Sequence, residues 1–449
     1  MPIEHLSLND AAATPWSAAS FCMKQGAKTV FFDHQTDTGQ AGGHSILVCE
    51  PTQWLVERRG EFFEGPSNRR IDDPVRWIKQ HHIPQEVATD IPFVGGIAGY
   101  LGFEFGWRLD QFSAPAQRGR SPQMWVGVFP AAAVFDHRSR RWTVYGRDRD
   151  AVREIAELIR HAPPKPKIGI GRAEAEFDGN GLDDKDYQKR VRAAVAAIYA
   201  GELFEVNFTE RIRGIWRGDR RALYDQLRRR APGDFGGLVA IEDLLIASVS
   251  PEQFLAVDAS GRVSSRPIKG TRPRGQTDAQ DQALAEELLH SAKDRAENIM
   301  IVDLMRNDLT RICRPGSIEV SELCELHSYS SVHHLVSTVE GQLSEHFDAL
   351  DAFLTSFPAG SITGAPKLRA MEWITANERT PRGPYTGSLF YWSDHGRLDS
   401  NVLIRSAVLS ENALEFGTGG AVVADSSPEQ ECEEATWKAR PFLDLLEPS

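Results

Sequence analysis

Short β-rich runs separated by turn residues constrain the fold of this chain most, and the clearest group spans residues 243–268. Asp243–Val249 and Gln253–Val257 are rich in branched and aromatic residues, as expected of half-buried strands. Asp258–Gly261 supplies turn residues, and Arg262–Ile268 then returns as a partner strand. The sequence therefore predicts a β-hairpin here.

Lys269 follows this hairpin directly, at the point where the strand is expected to end against Gly270. Most lysines at strand ends are solvated. A lysine held by a rigid element can instead act as a nucleophile when desolvation or a neighbouring cation lowers its pKa. Both interpretations of Lys269 remain open from the local sequence.

Composition excludes several classes of protein. The chain has 449 residues, of which 41% are hydrophobic and 25% charged, and its formal net charge is −12. An acidic chain without a basic run is a poor candidate for binding nucleic acid or anionic membranes. The five cysteines are scattered, which indicates neither a disulfide framework nor a zinc site. With no signal-peptide pattern and no apolar run long enough to cross a bilayer, we expect a soluble cytoplasmic protein.

The order of residue types predicts two segments and a linker. Residues 1–161 form an N-terminal strand-rich lobe, and the proline-rich stretch that begins at Ala162 marks a linker over 162–182. Residues 183–449 form the second segment, where Asp183 caps a helix that ends at Gly201.

A carboxylate lies on a helix that is expected to be buried. The helix predicted at 294–311 is apolar on nearly every side, and Glu297 belongs to it. A buried carboxylate needs a cation, hydrogen-bond donors or a metal. Arg295 or Arg306 could satisfy Glu297 by an ion pair, and a metal is the alternative.

The last helix carries further carboxylates. Ser427, Pro428 and Gln430 are typical of a helix start. On this helix Glu431, Glu434 and Lys438 fall on one face, which usually means a solvated ladder of salt bridges. The other interpretation is that the carboxylates face a divalent cation together with Glu297, and an all-oxygen ligand set favours Mg²⁺ over zinc.

Several polar groups in strand-like segments suggest that a small dianion binds. Arg405 lies in the apolar run 401–409, where an arginine typically holds a carboxylate. Gly417–Gly420 offer bare backbone amides, and Tyr385 begins a predicted strand over 385–392. The loop 357–367 opens a helix without the spacing of a P-loop. We therefore infer a dianionic small molecule held by Mg²⁺, Arg405, Tyr385 and glycine amides near Lys269 and Glu252.

The same segments, taken in order, resemble the chorismate-utilising enzymes. The motifs are SPEQF (250–254), RPIKGT (266–271), KDRAENIMIVDLMRNDL (293–309), VHHLVS (332–337), FPAGSITGAPK (357–367), NVLIRSAV (401–408) and GTGGAVVADS (417–426). The resemblance implies an α+β fold like that of anthranilate synthase component I, two-lobed, with antiparallel sheets packed face to face and helices outside. Lys269 points to the aminodeoxychorismate synthase branch, because anthranilate and isochorismate synthases typically have alanine there.

The resemblance also implies roles for individual residues. Lys269 would attack C2 of chorismate and expel the C4 hydroxyl, ammonia would then displace the lysine by adding at C4, and Glu252 would be the general acid and base. Glu297 and Glu434 would bind Mg²⁺, with Glu431 acting through a water molecule. The substrate-binding positions would be Thr271, His334, Tyr385, Arg405, Gly417, Gly419, Gly420 and Lys438.

Departures from the family pattern leave these side chains in place. Cys432 stands in the family's E-Y-x-E motif and Ala359 in its FPGGS motif. With no glutaminase signature and no lyase extension, ammonia is expected to come from solution or from a separate glutamine amidotransferase subunit. Two alternatives remain: anthranilate synthase component I, and a non-catalytic chorismate-binding regulatory subunit.

Overall fold

Two large antiparallel sheets organise the chain. The structure is a computed structural model that describes residues 3–35, 43–87, 90–109, 119–175, 184–329 and 332–446. Within these ranges each sheet has twelve strands, and their pairings are antiparallel. The α+β class expected from the sequence is confirmed.

The strands follow in chain order. They are β1 (Glu4–Leu8), β2 (Thr29–Asp33), β3 (His44–Cys49), β4 (Gln53–Arg58), β5 (Glu61–Gly65), β6 (Arg69–Ile71), β7 (Gly96–Leu101), β8 (Met124–Phe129), β9 (Ala131–Asp136), β10 (Arg141–Gly146), β11 (Gly171–Ala175), β12 (Glu205–Gly218), β13 (Gly236–Ile241), β14 (Leu244–Ser248), β15 (Gln253–Val257), β16 (Arg262–Ser265), β17 (Ile268–Pro273), β18 (Glu319–Ser328), β19 (Val332–Gln342), β20 (Gly364–Ala365), β21 (Ser388–Ser393), β22 (Leu398–Asn401), β23 (Ser406–Ser410) and β24 (Ala413–Val422).

The helices cover the outer faces of the sheets. They are α1 (Pro15–Lys24), α2 (Pro74–His81), α3 (Phe105–Leu109), α4 (Arg149–His161), α5 (Asp184–Tyr199), α6 (Arg221–Arg230), α7 (Asp278–His290), α8 (Ala292–Thr310), α9 (Ala349–Ser356), α10 (Lys367–Asn377) and α11 (Pro428–Leu446). None of the helices in the described ranges is long and apolar enough to cross a membrane.

Both sheets combine strands from the two predicted segments. The first sheet has the order β1-β10-β9-β3-β2-β13-β14-β23-β24-β12-β11, and the second the order β17-β19-β16-β15-β22-β21-β7-β8-β4-β5-β6. The segments meet where β2 pairs with β13 and where β21 pairs with β7. The linker predicted at 162–182 contains β11, which pairs with β12. Its last residues, from 176 onward, and Asp183 lie outside the described residues, so the segment boundary stays a prediction.

The core has three layers, one between the two sheets and one on the outer face of each sheet. In the layer between the sheets, alternate residues of both sheets pack together. They include Val30 and Ile46 from the first sheet and Tyr100 and Trp125 from the second, all of them buried. This is the face-to-face packing that the resemblance to the chorismate-utilising enzymes implies. The opposite face of each sheet is covered by helices, with α1, α4, α6 and α11 on the first and α2, α5, α8, α9 and α10 on the second.

The predicted hairpin forms, but its second strand is interrupted. β15 and β16 pair across the turn, where Asp258 accepts a hydrogen bond from the backbone N–H of Ser260. β16 ends at Ser265 rather than at Ile268, because Pro267 has no N–H to continue the ladder. The chain resumes as β17, and both strands pair with β19. Lys269 is therefore the second residue of a new strand rather than the residue after an old one.

Candidate active site

A cavity of about 360 Å³ lies among β17, β24, α8 and α11. Most of the residues singled out in the sequence line it, although they are far apart in the chain. They are Glu252, Lys269, Thr271, Glu297, His334, Tyr385, Arg405, Gly417, Gly419, Glu434 and Lys438. Gly420 and Glu431 lie just behind this wall, since a side chain at Gly420 would contact Glu431.

Lys269 is buried against the cavity by a bulge in β17. The pairing of β17 with β19 shifts register between Ile268 and Thr271, and Gly270 adopts a positive φ of 86°. A side chain at Gly270 would press on Asp294 and Leu288, so glycine allows the strand to lie close to α8. As a result Lys269 is only 8% exposed.

Lys269 is an ammonium ion in the free protein. Its Nζ lies 2.8 Å from Oε1 of Glu205, whose side chain is fully buried. Burial alone lowers the pKa of Lys269, but the charges of Glu205 and Glu297 outweigh burial and raise it. From the sequence, a nucleophilic Lys269 was expected to have a lowered pKa. The structure shows the opposite in the free protein, so a proton must leave Lys269 before it can attack.

Glu205 is a functional candidate that the sequence analysis did not single out. It is the first residue of β12, and its backbone pairs with Ala365 of β20. In the sequence it looks like one polar residue in an alternating strand, 64 positions from Lys269. The available signal was a carboxylate between the apolar residues Phe204 and Val206.

Glu252 has the properties of a general acid near neutral pH. It lies in the connection between β14 and β15 and is 6% exposed. Burial raises its pKa to about 7, although a hydrogen bond from Ser361 and the charge of Lys269 act in the opposite direction. The hydroxyl of Ser361 donates to Oε1 of Glu252 over 2.7 Å. A carboxyl with such a pKa can hold a proton and release it during a reaction.

The loop 357–367 contributes Ser361 to the site. Part of it, Gly360–Ile362, forms a 3-10 turn, and both Ser361 and Ile362 line the cavity. From the sequence this loop was expected to open a helix, and in the structure its Ser361 hydroxyl also donates a hydrogen bond to Glu252.

Three carboxylates cluster at the other side of the cavity. Glu297 projects from α8, and Glu431 and Glu434 from α11. The side chain of Lys293, also on α8, reaches towards α11, and its Nζ lies 3.9 Å from Glu297 and 3.3 Å from Glu431. The ion pair of Glu297 with Arg295 or Arg306 expected as one alternative does not form. Helix α8 is also less buried than expected, because Ile299 is 40% exposed.

The electrostatics of this cluster suit an added cation. The pKa of Glu297 is raised to about 7, mainly by burial; the charge of Lys269 acts against this rise and the charge of Glu205 adds to it. Lys438, 2.7 Å away, is the main cause of a lowered pKa at Glu434. No group of three or more acidic, histidine or cysteine side chains in the described ranges is already arranged to hold a metal. The oxygen donors fit Mg²⁺, which remains a prediction.

Arg405 and His334 form a basic corner of the cavity. Arg405 lies between β22 and β23 with a positive φ of 46°, not inside a continuous strand as expected. Burial lowers its pKa, and no carboxylate in the described part of the chain pairs with its guanidinium. A buried cation without an anionic partner is suited to binding an anionic ligand.

His334 is a neutral hydrogen-bonding group. Burial and the charge of Arg405 lower its pKa to about 4. Its Nδ1 lies 2.8 Å from the hydroxyl oxygen of Thr271, and among the described residues its Nε2 is buried without a hydrogen-bond partner. His334 therefore retains one ring nitrogen for a ligand. The VHHLVS motif (332–337) forms the start of β19, which extends to Gln342.

Tyr385 is held in place by Arg211, a second residue that the sequence analysis did not single out. Tyr385 lies in a turn before β21, which begins at Ser388 rather than at the predicted Tyr385. The guanidinium carbon of Arg211 lies 4.5 Å from the centre of the tyrosine ring. A side chain at Gly417 would collide with both groups, so glycine at this position allows them to pack against β24.

The glycine run belongs to one continuous strand. β24 extends through Gly417–Gly420 and pairs with β12 along its whole length. On its other edge β24 pairs with β23 only as far as Phe416. The backbone from Gly417 onward therefore has an edge that β23 does not cover, and Gly417 and Gly419 line the cavity there. Lys438 donates to the carbonyl of Gly419 over 3.2 Å.

Comparisons with known proteins identify the family. Residues 39–444 match the model of the chorismate binding enzyme family. The chain is 36% identical to aminodeoxychorismate synthase component 1 of Klebsiella aerogenes over 90% of both chains. It is also 36% identical to anthranilate synthase component 1 of Thermus thermophilus, over 94% of this chain and 93% of that protein.

A solved structure agrees with the fold. The chain resembles anthranilate synthase component I from Streptococcus pneumoniae with a TM-score of 0.78 and 27% identity, over 89% of this chain and 92% of that one. The predicted fold of anthranilate synthase component I is thus confirmed. This chain belongs to the chorismate-binding enzyme family and is a chorismate-utilising enzyme.

Proposed function

We propose that this chain is the chorismate-aminating component of an aminodeoxychorismate synthase, which makes 4-amino-4-deoxychorismate for para-aminobenzoate and folate biosynthesis. The observation that carries the proposal is Lys269, a primary amine in the cavity wall beside a carboxyl group with a pKa of about 7. The relative from Klebsiella aerogenes with this activity in its name supports it.

Binding uses the charges of the two sides of the cavity. Arg405 would hold one carboxylate of chorismate with its guanidinium, helped by Tyr385 and by the free amide edge of β24. Glu297 and Glu434, with Glu431 behind them, would hold Mg²⁺. When bound, this ion would supply positive charge for the second carboxylate of chorismate, on the side of the cavity that holds these glutamates.

The chemistry then takes place between Lys269 and Glu252. The amine adds to C2 of the ring, the ring electrons shift towards C4, and the C4–O bond breaks. Glu252 gives its proton to the departing hydroxyl, which leaves as water. Ammonia adds at C4 and expels Lys269, and Glu252 takes up a proton from the new amine. We propose that a separate glutamine amidotransferase subunit supplies the ammonia, in keeping with the name component 1 of the relatives.

Trapping the covalent intermediate tests this proposal. With chorismate and Mg²⁺ but no ammonia, the protein should gain the mass of chorismate minus one water on the peptide that contains Lys269. The variant K269A should lose the adduct and the amination while retaining Mg²⁺-dependent chorismate binding. The control is K367A, which removes another buried lysine, paired with Asp308 over 2.6 Å but outside the cavity lining. Wild-type amination by K269A would refute the nucleophile.

Anthranilate synthase component I is the second candidate, favoured by the equal identity to the relative from Thermus thermophilus. The two activities share the binding site but differ in their products. Incubation with chorismate, Mg²⁺ and ammonium should yield aminodeoxychorismate without pyruvate. Fluorescent anthranilate together with pyruvate would favour the second candidate instead.

A non-catalytic chorismate-binding subunit is the third alternative. The presence of Lys269, Glu252 and the Glu297/Glu434 pair around one cavity argues against it. Binding of chorismate without its consumption in excess ammonium would support this alternative.

A further inference from the structure

The Glu205–Lys269 ion pair determines how Lys269 can become a nucleophile. An ammonium group has no lone pair, so Lys269 must lose a proton before it can bond to carbon. In the free protein the charges around Lys269 hold that proton in place. A group within reach must therefore accept it.

The geometry favours one acceptor. Oε1 of Glu205 lies 2.8 Å from Nζ, within hydrogen-bond distance. Glu252 and Glu297 also face Lys269, from the β14–β15 connection and from α8, but they act on it by charge. Glu434 on α11 interacts with Lys269 by charge as well, and its hydrogen bond goes to Lys438. Glu252 is bound by Ser361 and must be protonated for the departing hydroxyl, and Glu297 belongs to the acidic cluster.

The burial of Glu205 suits a proton acceptor. Its side chain is fully buried, and among the described residues its Oε2 has no hydrogen-bond partner. Proton transfer from Lys269 converts two buried charges into two neutral groups, so the interior is relieved of both desolvated charges. Its backbone is fixed against β20, which holds the carboxylate towards Lys269.

We propose that Glu205 is the proton acceptor of Lys269, an inference that rests on the proposed function. One proton passes from Nζ to Oε1 of Glu205, and the freed lone pair forms the bond to C2 while Glu252 protonates the departing C4 hydroxyl. When ammonia adds at C4, Lys269 leaves with its electron pair as an amine. It then takes its proton back from Glu205, so the pair is restored.

This step has a pH signature that a structural role would lack. In the wild type the proton moves within the pair, so the availability of the amine does not depend on solvent pH. In E205Q the amide still accepts a hydrogen bond but cannot take the proton, so Lys269 must lose it to solvent. Below the pKa of Lys269, the fraction of free amine then rises about tenfold per pH unit.

The experiment measures single-turnover adduct formation by mass spectrometry between about pH 6 and pH 8. The titration of Glu252 affects the E205Q rate and the wild-type rate alike, so it drops out of their ratio. This ratio should rise about tenfold per pH unit. E205D, which keeps a carboxylate, should restore a constant ratio. D308N, which removes the carboxylate partner of Lys367, should also give a constant ratio. A ratio for E205Q that does not change with pH would overturn the proposal.

A second readout needs no activity. Acetylation of Lys269 by acetic anhydride as a function of pH reports the pKa of Lys269 in the free protein. E205Q should lower this pKa, because Glu205 is the charge that raises it most. An unchanged pKa would overturn the coupling of the two groups. A lower pKa of Lys269 in E205Q, combined with no adduct in the wild type, would refute the proposed function and this catalytic step. The same result would confirm the electrostatic coupling of Glu205 and Lys269.

Discussion

The difference in free energy of unfolding between Glu252→Gln and the wild type should depend on pH. Going from pH 5 to pH 8, it should shift in favour of the variant. Burial raises the pKa of Glu252 from 4.5 to about 7, so the folded state binds this proton more tightly than the unfolded state. A group with a raised pKa contributes its full stability at pH values below its pKa in the unfolded protein. This contribution is lost as the pH rises through its pKa in the folded protein. The amide introduced by E252Q does not titrate, so the variant avoids that loss.

The size of the effect follows from the pKa difference. A rise in pKa from 4.5 to about 7 changes the free energy of unfolding by about 3 kcal/mol between the fully protonated and the fully ionised carboxyl. About 2.5 kcal/mol of this change falls between pH 5 and pH 8. Urea unfolding of both proteins at the two pH values gives the difference directly, and other titrating groups largely cancel. A difference between E252Q and wild type that is the same at both pH values would refute the idea that burial dominates at Glu252.

Three further predictions concern the neighbours of the reacting groups. Ser361→Ala removes a hydrogen bond that favours the charged form of Glu252, which should raise the pKa of Glu252 by about one unit. The alkaline limb of the pH profile for adduct formation should move up accordingly, and a limb that stays or moves down would contradict the prediction. Gly417→Ala should displace Tyr385, raising the KM for chorismate more than it lowers kcat, and a normal KM would show that the ring can move without cost. Glu434→Ala should raise the Mg²⁺ concentration needed for half-maximal chorismate binding at least roughly tenfold, and an unchanged requirement would remove Glu434 from the proposed ion site.

Residues that stand in distinctive local motifs could be located from the sequence. Lys269, Arg405 and Tyr385 stand in motifs whose local pattern is visible in one stretch, and all three line the cavity. Their backbone settings were less well predicted. Pro267 interrupts the strand before Lys269, and Arg405 falls between two strands with a positive φ, because single residues break ladders that periodicity alone extends.

Residues that act through a partner could not be predicted in the same way. Glu205, Arg211 and Ser361 have ordinary sequence surroundings, and their importance comes from contacts with residues distant in the chain. The sign of the pKa shift at Lys269 depends on the same kind of contact. From the sequence, the effects considered at Lys269 were desolvation and a neighbouring cation, which both lower a lysine pKa. The carboxylate at 2.8 Å, which reverses the shift, becomes visible only in the structure.

The distribution of charge around the cavity explains why both a cation and a dianion are expected in it. One side holds Arg405 without a carboxylate partner among the described residues and a neutral His334, so an anion can bind there without displacing an existing ion pair. The other side holds Glu297, whose pKa is raised to about 7 mainly by burial, together with the carboxylates of Glu431 and Glu434. A second carboxylate of the ligand would be repelled on that side. Because such a ligand has charge at both ends, it can fill the cavity only if a cation accompanies it, and chorismate binding should therefore depend on Mg²⁺ while Mg²⁺ binding strengthens with chorismate.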